Sequence, residues 1–235
     1  MSYELRAFCP MLTAHSKIKN SGQSLLTVVR CLLTLKKTNM MKLLYVHGYN
    51  GDPYGNSYNN LKNACGEKYE LHTIDYDPTR PREAVSMIHE YVSEHKIDVV
   101  IGASLGGFLT MNVFGVSRIV VNPCWDPAVE LPKIGYAESV EVYAVMLEKL
   151  KENLDFEECF LCSGVFASDD EMLGNQYVDI FKEYFHGVYL IDGVHRITAE
   201  MAERIINDVL PHHEEEATDF CSKLKEIDNA PWLEE

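Results

Sequence analysis

The sequence is short of positive charge. Lys and Arg number 21 against 36 Asp and Glu, a formal net charge of −15 at pH 7. Such a body repels phosphate, which argues against nucleic acid as a partner. The imbalance is uneven: residues 1–41 hold six Lys or Arg and one Glu, a local +5, which leaves −20 for the rest. Long apolar runs are also missing. The stretch from Ser24 to Leu33 is interrupted by Arg30 and too short to cross a bilayer, so no membrane association is expected. No secretory signal is evident. Seven cysteines (Cys9, Cys31, Cys65, Cys124, Cys159, Cys162 and Cys221) are odd in number and scattered. They suit free thiols in a reducing, cytoplasmic setting better than a disulfide framework. Cys159 and Cys162 have the spacing of a ligand or redox pair. However, they lie in an apolar run, Glu158 to Ser163, that reads as a strand and would turn them to opposite faces. No second Cys/His pair has zinc spacing, so neither a metal nor a cofactor is expected. There is no internal repeat.

What is present is a core. With 235 residues, 46% hydrophobic and 24% charged, the chain suits one globular domain. Apolar strands alternate with helical patterns about six times. Strands are expected at Lys42–His47, Tyr69–Ile74, Ile97–Ala103, Ser117–Val121, Glu158–Ser163 and Gly187–Ile191. Helices are expected from a Ser57 cap to Cys65, over Arg82–His95, from Leu105 to Phe114, over Val140–Asn153, from Asp169 to Phe185, and from a Thr198 cap to Leu210, where Pro211 stops it. Near-continuous apolar strands with intervening helices predict an α/β fold, a mostly parallel sheet covered on both faces. The Pro- and Gly-rich segment 123–137 is expected to cross the top of the sheet, and Val140–Asn153 to form a small cap. Residues 1–40 form a basic extension read as lying outside the fold, with Met40-Met41 a candidate natural start. Residues 212–235 read as an acidic, solvated tail.

The most informative stretch is Ile97 to Leu109. It reads as a strand, a glycine-flanked turn and a helix start, with Gly102-x-Ser104-x-Gly106 at the bend. This fits the nucleophile elbow, a strained turn whose neighbours two positions away leave no room for a Cβ. A serine hydroxyl needs a base. His195 follows the last strand in Asp192-Gly193-Val194-His195-Arg196, at the sheet edge that holds the elbow. A base needs an acid to fix its tautomer, and Asp169 and Asp170 follow the preceding strand. One of the two can cap a helix while the other pairs with His195. Asp170 is preferred, with Asp169 the alternative. Two N–H groups should hold the developing oxyanion: that of Leu105, after the nucleophile, and that of Tyr49, in the loop after the first strand. His47 reads as structural, its ring bonded to that loop.

His47-Gly48-Tyr49-Asn50, Gly102-Ala103-Ser104-Leu105-Gly106-Gly107-Phe108, Val121-Asn122-Pro123, Asp170-Glu171-Met172-Leu173 and His195-Arg196-Ile197 follow one another in this order. From about Met41 to Pro211 the chain resembles the small YqiA/YcfP-like esterases, a compact branch of the α/β-hydrolase superfamily. The resemblance implies a three-layer fold and a cytoplasmic serine esterase acting on carboxylic esters or acyl thioesters, with Ser104, Asp170 and His195 as its catalytic residues. Two departures stand out. Asp169 replaces the glycine that relatives often carry before the acid, and Trp125–Asn153, which should shape the substrate pocket, matches poorly. Substrate-contacting residues and oligomeric state are not legible. Two other readings compete. A nucleotide- or phosphate-binding domain would need glycine at position 104 or a Lys-Ser/Thr pair after the last glycine, and neither is present. A hydrolase fold kept only as an interaction scaffold would not need all three residues.

Overall fold

The structure is a computed structural model that describes residues 40–228. Six strands form one sheet: β1 (Met41–Val46), β2 (Tyr69–Ile74), β3 (Val99–Ala103), β4 (Ser117–Val121), β5 (Cys162–Ala167) and β6 (Gly187–Ile191). Their spatial order is β2-β1-β3-β4-β5-β6, and every pairing is parallel. The helices are α1 (Asn56–Cys65), α2 (Pro81–His95), α3 (Leu105–Met111), α4 (Pro127–Lys133), α5 (Glu141–Asn153), α6 (Val178–Tyr184), α7 (Ala199–Arg204) and α8 (Leu210–Asp228), the last two joined by a π-helical turn over Ile205–Val209.

The two faces of the sheet carry separate cores, set by the two-residue period of the strands. Leu44, Val46, Val100, Val120 and Phe166 point to one face, where they pack with α2, α3, α5 and α6. Leu43, Tyr45, Val99, Ile101, Ile119, Val121 and Val165 point to the other, against Tyr58 and Leu61 of α1 and Met201 of α7. This is the doubly covered parallel sheet expected from the sequence.

After β1 the chain goes to one side for β2, then crosses back to place β3 on β1's other edge. The loops after β1 and β3 therefore diverge at a topological switch point, where such folds open a crevice at the carboxyl ends of the strands.

Several boundaries differ from the sequence reading, each for a local reason. Helix α1 begins at Asn56 behind Gly55 with no side-chain cap; Ser57 lies inside its first turn, bonded to Tyr45. The fifth strand is Cys162–Ala167 rather than Glu158–Ser163. Glu158 is instead drawn into a buried ion pair with Arg118 and accepts the Gly115 N–H at 2.8 Å, which holds 156–160 in turns. Cys159 thus lies before the strand. It is buried and its thiol donates to the Asp155 carbonyl; like Cys65, Cys124 and Cys162 it is in no disulfide, and burial pushes the Cys162 thiol up to about 12. No helix runs from Asp169 to Phe185. Gly174 takes φ 58°, a left-handed conformation that ends a helical turn, and only Val178–Tyr184 is helical. Nor does Pro211 stop the last helix. The π turn shifts the register so that the Leu210 N–H bonds to the Ile205 carbonyl, and Pro211 falls in the first turn of α8, where its missing N–H costs little.

Helix α8 takes up much of the segment read as an acidic tail. His213, Ala217 and Phe220 are buried, and Phe220 stacks on Phe160 with ring centroids 4.1 Å apart. The basic extension over residues 1–39 and the last residues, 229–235, lie outside the described residues. Helix α5, expected as a small cap, packs Tyr143, Met146, Leu147 and Leu150 into the core. Among the described residues, no helix is long and apolar enough to cross a membrane.

Candidate active site

Ser104 sits between β3 and α3 at φ 54°, ψ −119°. A non-glycine residue there is strained, and the surroundings hold it. Its N–H donates to the Val121 carbonyl at 2.9 Å, and its carbonyl accepts from Cys124 N–H at 3.0 Å. The flanking glycines are required by space. A Cβ on Gly102 would meet Thr110 Oγ1 at 2.3 Å, and one on Gly106 would meet the His47 carbonyl oxygen at 2.2 Å. The elbow is thereby locked against the end of β1.

Ser104 Oγ lies 3.0 Å from His195 Nε2. His195 Nδ1 lies 2.9 Å from each carboxylate oxygen of Asp170. In the neutral tautomer that fits this chain, Nδ1–H donates to Asp170 and Nε2 accepts the Ser104 O–H. His195 and Asp170 are buried, 6% and 7% exposed. Asp170 both pairs with the histidine and caps its own turn, since its Oδ1 accepts the Met172 and Leu173 N–H groups at 2.9 Å. Burial works to raise the Asp170 carboxyl, but the bond from His195 and those two N–H groups outweigh it and hold it below its usual range. Asp169, the alternative acid, is exposed and accepts the Ser168 hydroxyl.

The loop after β1 reaches the serine. A Cβ on Gly48 would come within 3.0 Å of Ser104 Cβ. The N–H groups of Tyr49 and Leu105 have no acceptor among the described residues. His47 is buried, with Nδ1 2.8 Å from the Gly48 carbonyl oxygen and its ring stacked on Tyr76. That is the structural role expected of it.

A cavity of about 350 Å³ opens over Ser104 and His195. Tyr49, Ile134, Met172 and Ile197 give it an apolar side; Asn50, Asn56 and Arg196 give it a polar one. Of the Trp125–Asn153 segment, only Ile134 reaches the lining. Asn56 and Ile134 carried no signal in the sequence; Tyr49, Asn50, Met172, Arg196 and Ile197 stood in its motifs but not as cavity walls, because they come from separate segments of the chain. Among the described residues, no group of three or more His, Cys, Asp or Glu side chains is placed to hold a metal ion.

A second serine–histidine–carboxylate cluster lies at the opposite end of the sheet, where β4 and β5 begin. His213 Nε2 is 2.7 Å from Ser117 Oγ, His213 Nδ1 is 2.7 Å from Ser163 Oγ, and the Ser117 hydroxyl donates to Glu214 Oε1 at 2.8 Å. With the Ser117 proton committed to Glu214, His213 donates to Ser117 and accepts from Ser163. Here the histidine does not act as base toward the serine. Burial holds the His213 imidazole down at about 4, so it is neutral at pH 7. The cluster docks α8 under the sheet.

The all-parallel sheet, the strained serine turn after β3 and the histidine loop after the last strand define the α/β-hydrolase fold. Solved structures share it. The esterase domain of a Rhodothermus marinus protein is 14% identical, with 77% of this chain covering 89% of that one at a TM-score of 0.56. MGS-MChE2, an α/β-hydrolase enzyme from the metagenome of lagoon sediments at Mar Chica, Morocco, is 14% identical over 77% of this chain and 93% of that one (TM-score 0.53). YbtT, a type II thioesterase from the yersiniabactin biosynthetic pathway, is 13% identical over 77% and 96% (TM-score 0.51). At such identities the likeness speaks to the fold. Residues 42–193 match the Uncharacterised protein family (UPF0227), and the chain belongs to that family, in keeping with the YqiA/YcfP-like resemblance of its motifs.

Proposed function

We propose that this protein is a serine hydrolase that cleaves carboxylic ester or acyl thioester bonds through an acyl-enzyme. The observation that carries this reading is the continuous chain from Ser104 Oγ through the His195 ring to Asp170, on the wall of an open cavity. Ser104 Oγ attacks the acyl carbonyl carbon as His195 Nε2 takes its proton. Asp170 stabilises the imidazolium that results and keeps the ring aligned. The Tyr49 and Leu105 N–H groups hold the oxyanion, and the N-terminus of α3 favours the same charge. His195 then protonates the leaving oxygen or sulfur, and the carbon–heteroatom bond breaks. Water, deprotonated by His195, attacks the acyl-enzyme and frees the acid and Ser104.

The neighbours named as an esterase and a thioesterase use the same fold, which supports an acyl substrate in either form. A cavity of about 350 Å³ lies at the small end of ligand sites, so short acyl groups are the preferred substrates. The test is labelling with a fluorophosphonate probe. The full chain should label covalently, and Ser104→Ala and His195→Ala should not. A folded, unmodified protein that resists the probe would sink the serine-hydrolase reading and leave the scaffold reading standing.

A further inference from the structure

His195 is held by its main chain as well as its ring, and the grip comes from two side chains outside the triad. Asn122, at the end of β4, is 2% exposed. Its Nδ2 donates to the Val194 and His195 carbonyls, both at 3.0 Å, and its Oδ1 accepts the Ala167 N–H at 2.7 Å. One amide therefore joins the end of β5, which leads to Asp170, to the loop that carries His195. From the other side, Glu171 Oε2 accepts the His195 N–H at 3.0 Å, and that bond holds the Glu171 carboxyl below its usual range. Asn122 also takes φ 43°, a left-handed conformation uncommon for any residue but glycine, asparagine or aspartate. Buried position, strained backbone and three bonds, one to β5 and two to the histidine loop, coincide in one residue.

We infer that Asn122 and Glu171 are positioning residues for His195: together they clamp its peptide so that the ring lies between Ser104 and Asp170. This rests on the serine-hydrolase reading. The physical need is plain. The histidine loop spans only Asp192–Thr198 between β6 and α7, and the ring must meet two partners at about 3 Å at once. A shift of about 1 Å in a reacting group costs on the order of 100-fold in rate.

The informative variant is Asn122→Asp in the full chain. Aspartate tolerates the same backbone and can still accept from Ala167, but it cannot donate to the two carbonyls. With p-nitrophenyl butyrate, kcat should fall at least about 10-fold while KM stays within about twofold, since the substrate is not touched. Glu171→Ala should lower kcat in the same manner. Glu171→Gln, which still offers a carbonyl oxygen to the His195 N–H, should restore most of it. The downfield proton resonance of the His195–Asp170 hydrogen bond should weaken or vanish in Asn122→Asp, a readout that does not need turnover. A folded Asn122→Asp with kcat and the resonance both unchanged overturns the inference, as does equal loss in Glu171→Gln and Glu171→Ala. If the unmodified protein neither turns over ester nor takes up fluorophosphonate, the serine-hydrolase reading fails first, and the resonance alone decides whether Asn122 positions the ring.

Discussion

The two serine–histidine–carboxylate clusters of this molecule lie at opposite ends of one sheet, with closely similar distances. At the carboxyl end, Ser104 and His195 are 3.0 Å apart; at the amino end, Ser117 and His213 are 2.7 Å apart. Proximity therefore does not separate them. Three physical differences do. The carboxylate at the first cluster meets the histidine, so the serine O–H is free to point at Nε2; at the second it meets the serine and itself accepts the hydrogen bond from that O–H. Ser104 is on a strained turn over a cavity, whereas Ser117 is a regular strand residue under a helix. The loop after β1 closes on Ser104, where a Cβ on Gly48 would come within 3.0 Å of Ser104 Cβ, and no such loop closes on Ser117 among the described residues. A triad is recognised by which atom each group faces, and the second cluster has the right residues facing the wrong way.

The sharpest way to break this comparison is by deletion. Ser104→Ala or His195→Ala should lower kcat on p-nitrophenyl butyrate by a factor of order 10⁶, about 8 kcal/mol. Ser117→Ala should leave kcat unchanged in the folded protein. A loss at Ser117 that matched the loss at Ser104 would exchange the roles of the two ends.

Next in size is the acid. Asp170→Asn removes the charge that stabilises imidazolium and favours the wrong tautomer, and should lower kcat about 10⁴-fold. Asp169→Asn should keep full activity in the same assay. The reverse ranking would assign the role to Asp169.

The structural end should answer in stability instead. Arg118 is fully buried, and Glu158→Ala would leave its charge uncompensated. Urea unfolding should show a loss of about 4 kcal/mol. Smaller still is the acid sensitivity of the second cluster. The His213 pKa is lowered from 6.5 to about 4 in the folded chain. Its unfolded form therefore binds a proton first as the pH drops. Stability is fully present above pH 6.5 and falls by roughly 3 kcal/mol as the pH approaches 4. In His213→Ala that portion of the pH dependence should vanish, although the variant starts less stable. An unchanged slope would mean that His213 is not the buried neutral group described.

The smallest effect concerns specificity. Ile134→Ala and Met172→Ala enlarge the apolar side of the cavity. Each should change the preference between butyryl and octanoyl esters by about 10-fold or less, near 1 kcal/mol. No change in chain-length preference would remove these two residues from the acyl side.

Legibility along the chain followed the range of the forces involved. The strand periodicity of Leu43–Val46 and Ile119–Val121 reports directly on a buried sheet, so the layers were readable. The elbow was readable because its spelling is short and Gly102 answers a local steric demand from Thr110 and Gly106, whereas the demand on Gly106 comes from the distant end of β1. Pro211 misled because a proline reads as a stop unless a π turn before it realigns the register, and that turn depends on packing against the sheet. Asp170 was seen as a choice between capping and pairing; folded, one carboxylate does both. His213 carried no signal, since its two serine partners lie 96 and 50 positions away. Asn122 was visible as part of a motif but not as a clamp, because its partners, Ala167 of β5 and Val194 and His195 of the histidine loop, lie 45, 72 and 73 positions away.

By itself, the sequence determined the fold class and the chemistry-bearing residue types, through periodicity and through turns that admit only particular residues. Only the tertiary structure decided which serine faces a free base, which aspartate stands behind the histidine, and what holds that histidine still. Those are matters of direction at about 3 Å, and direction is set by how distant segments are packed together.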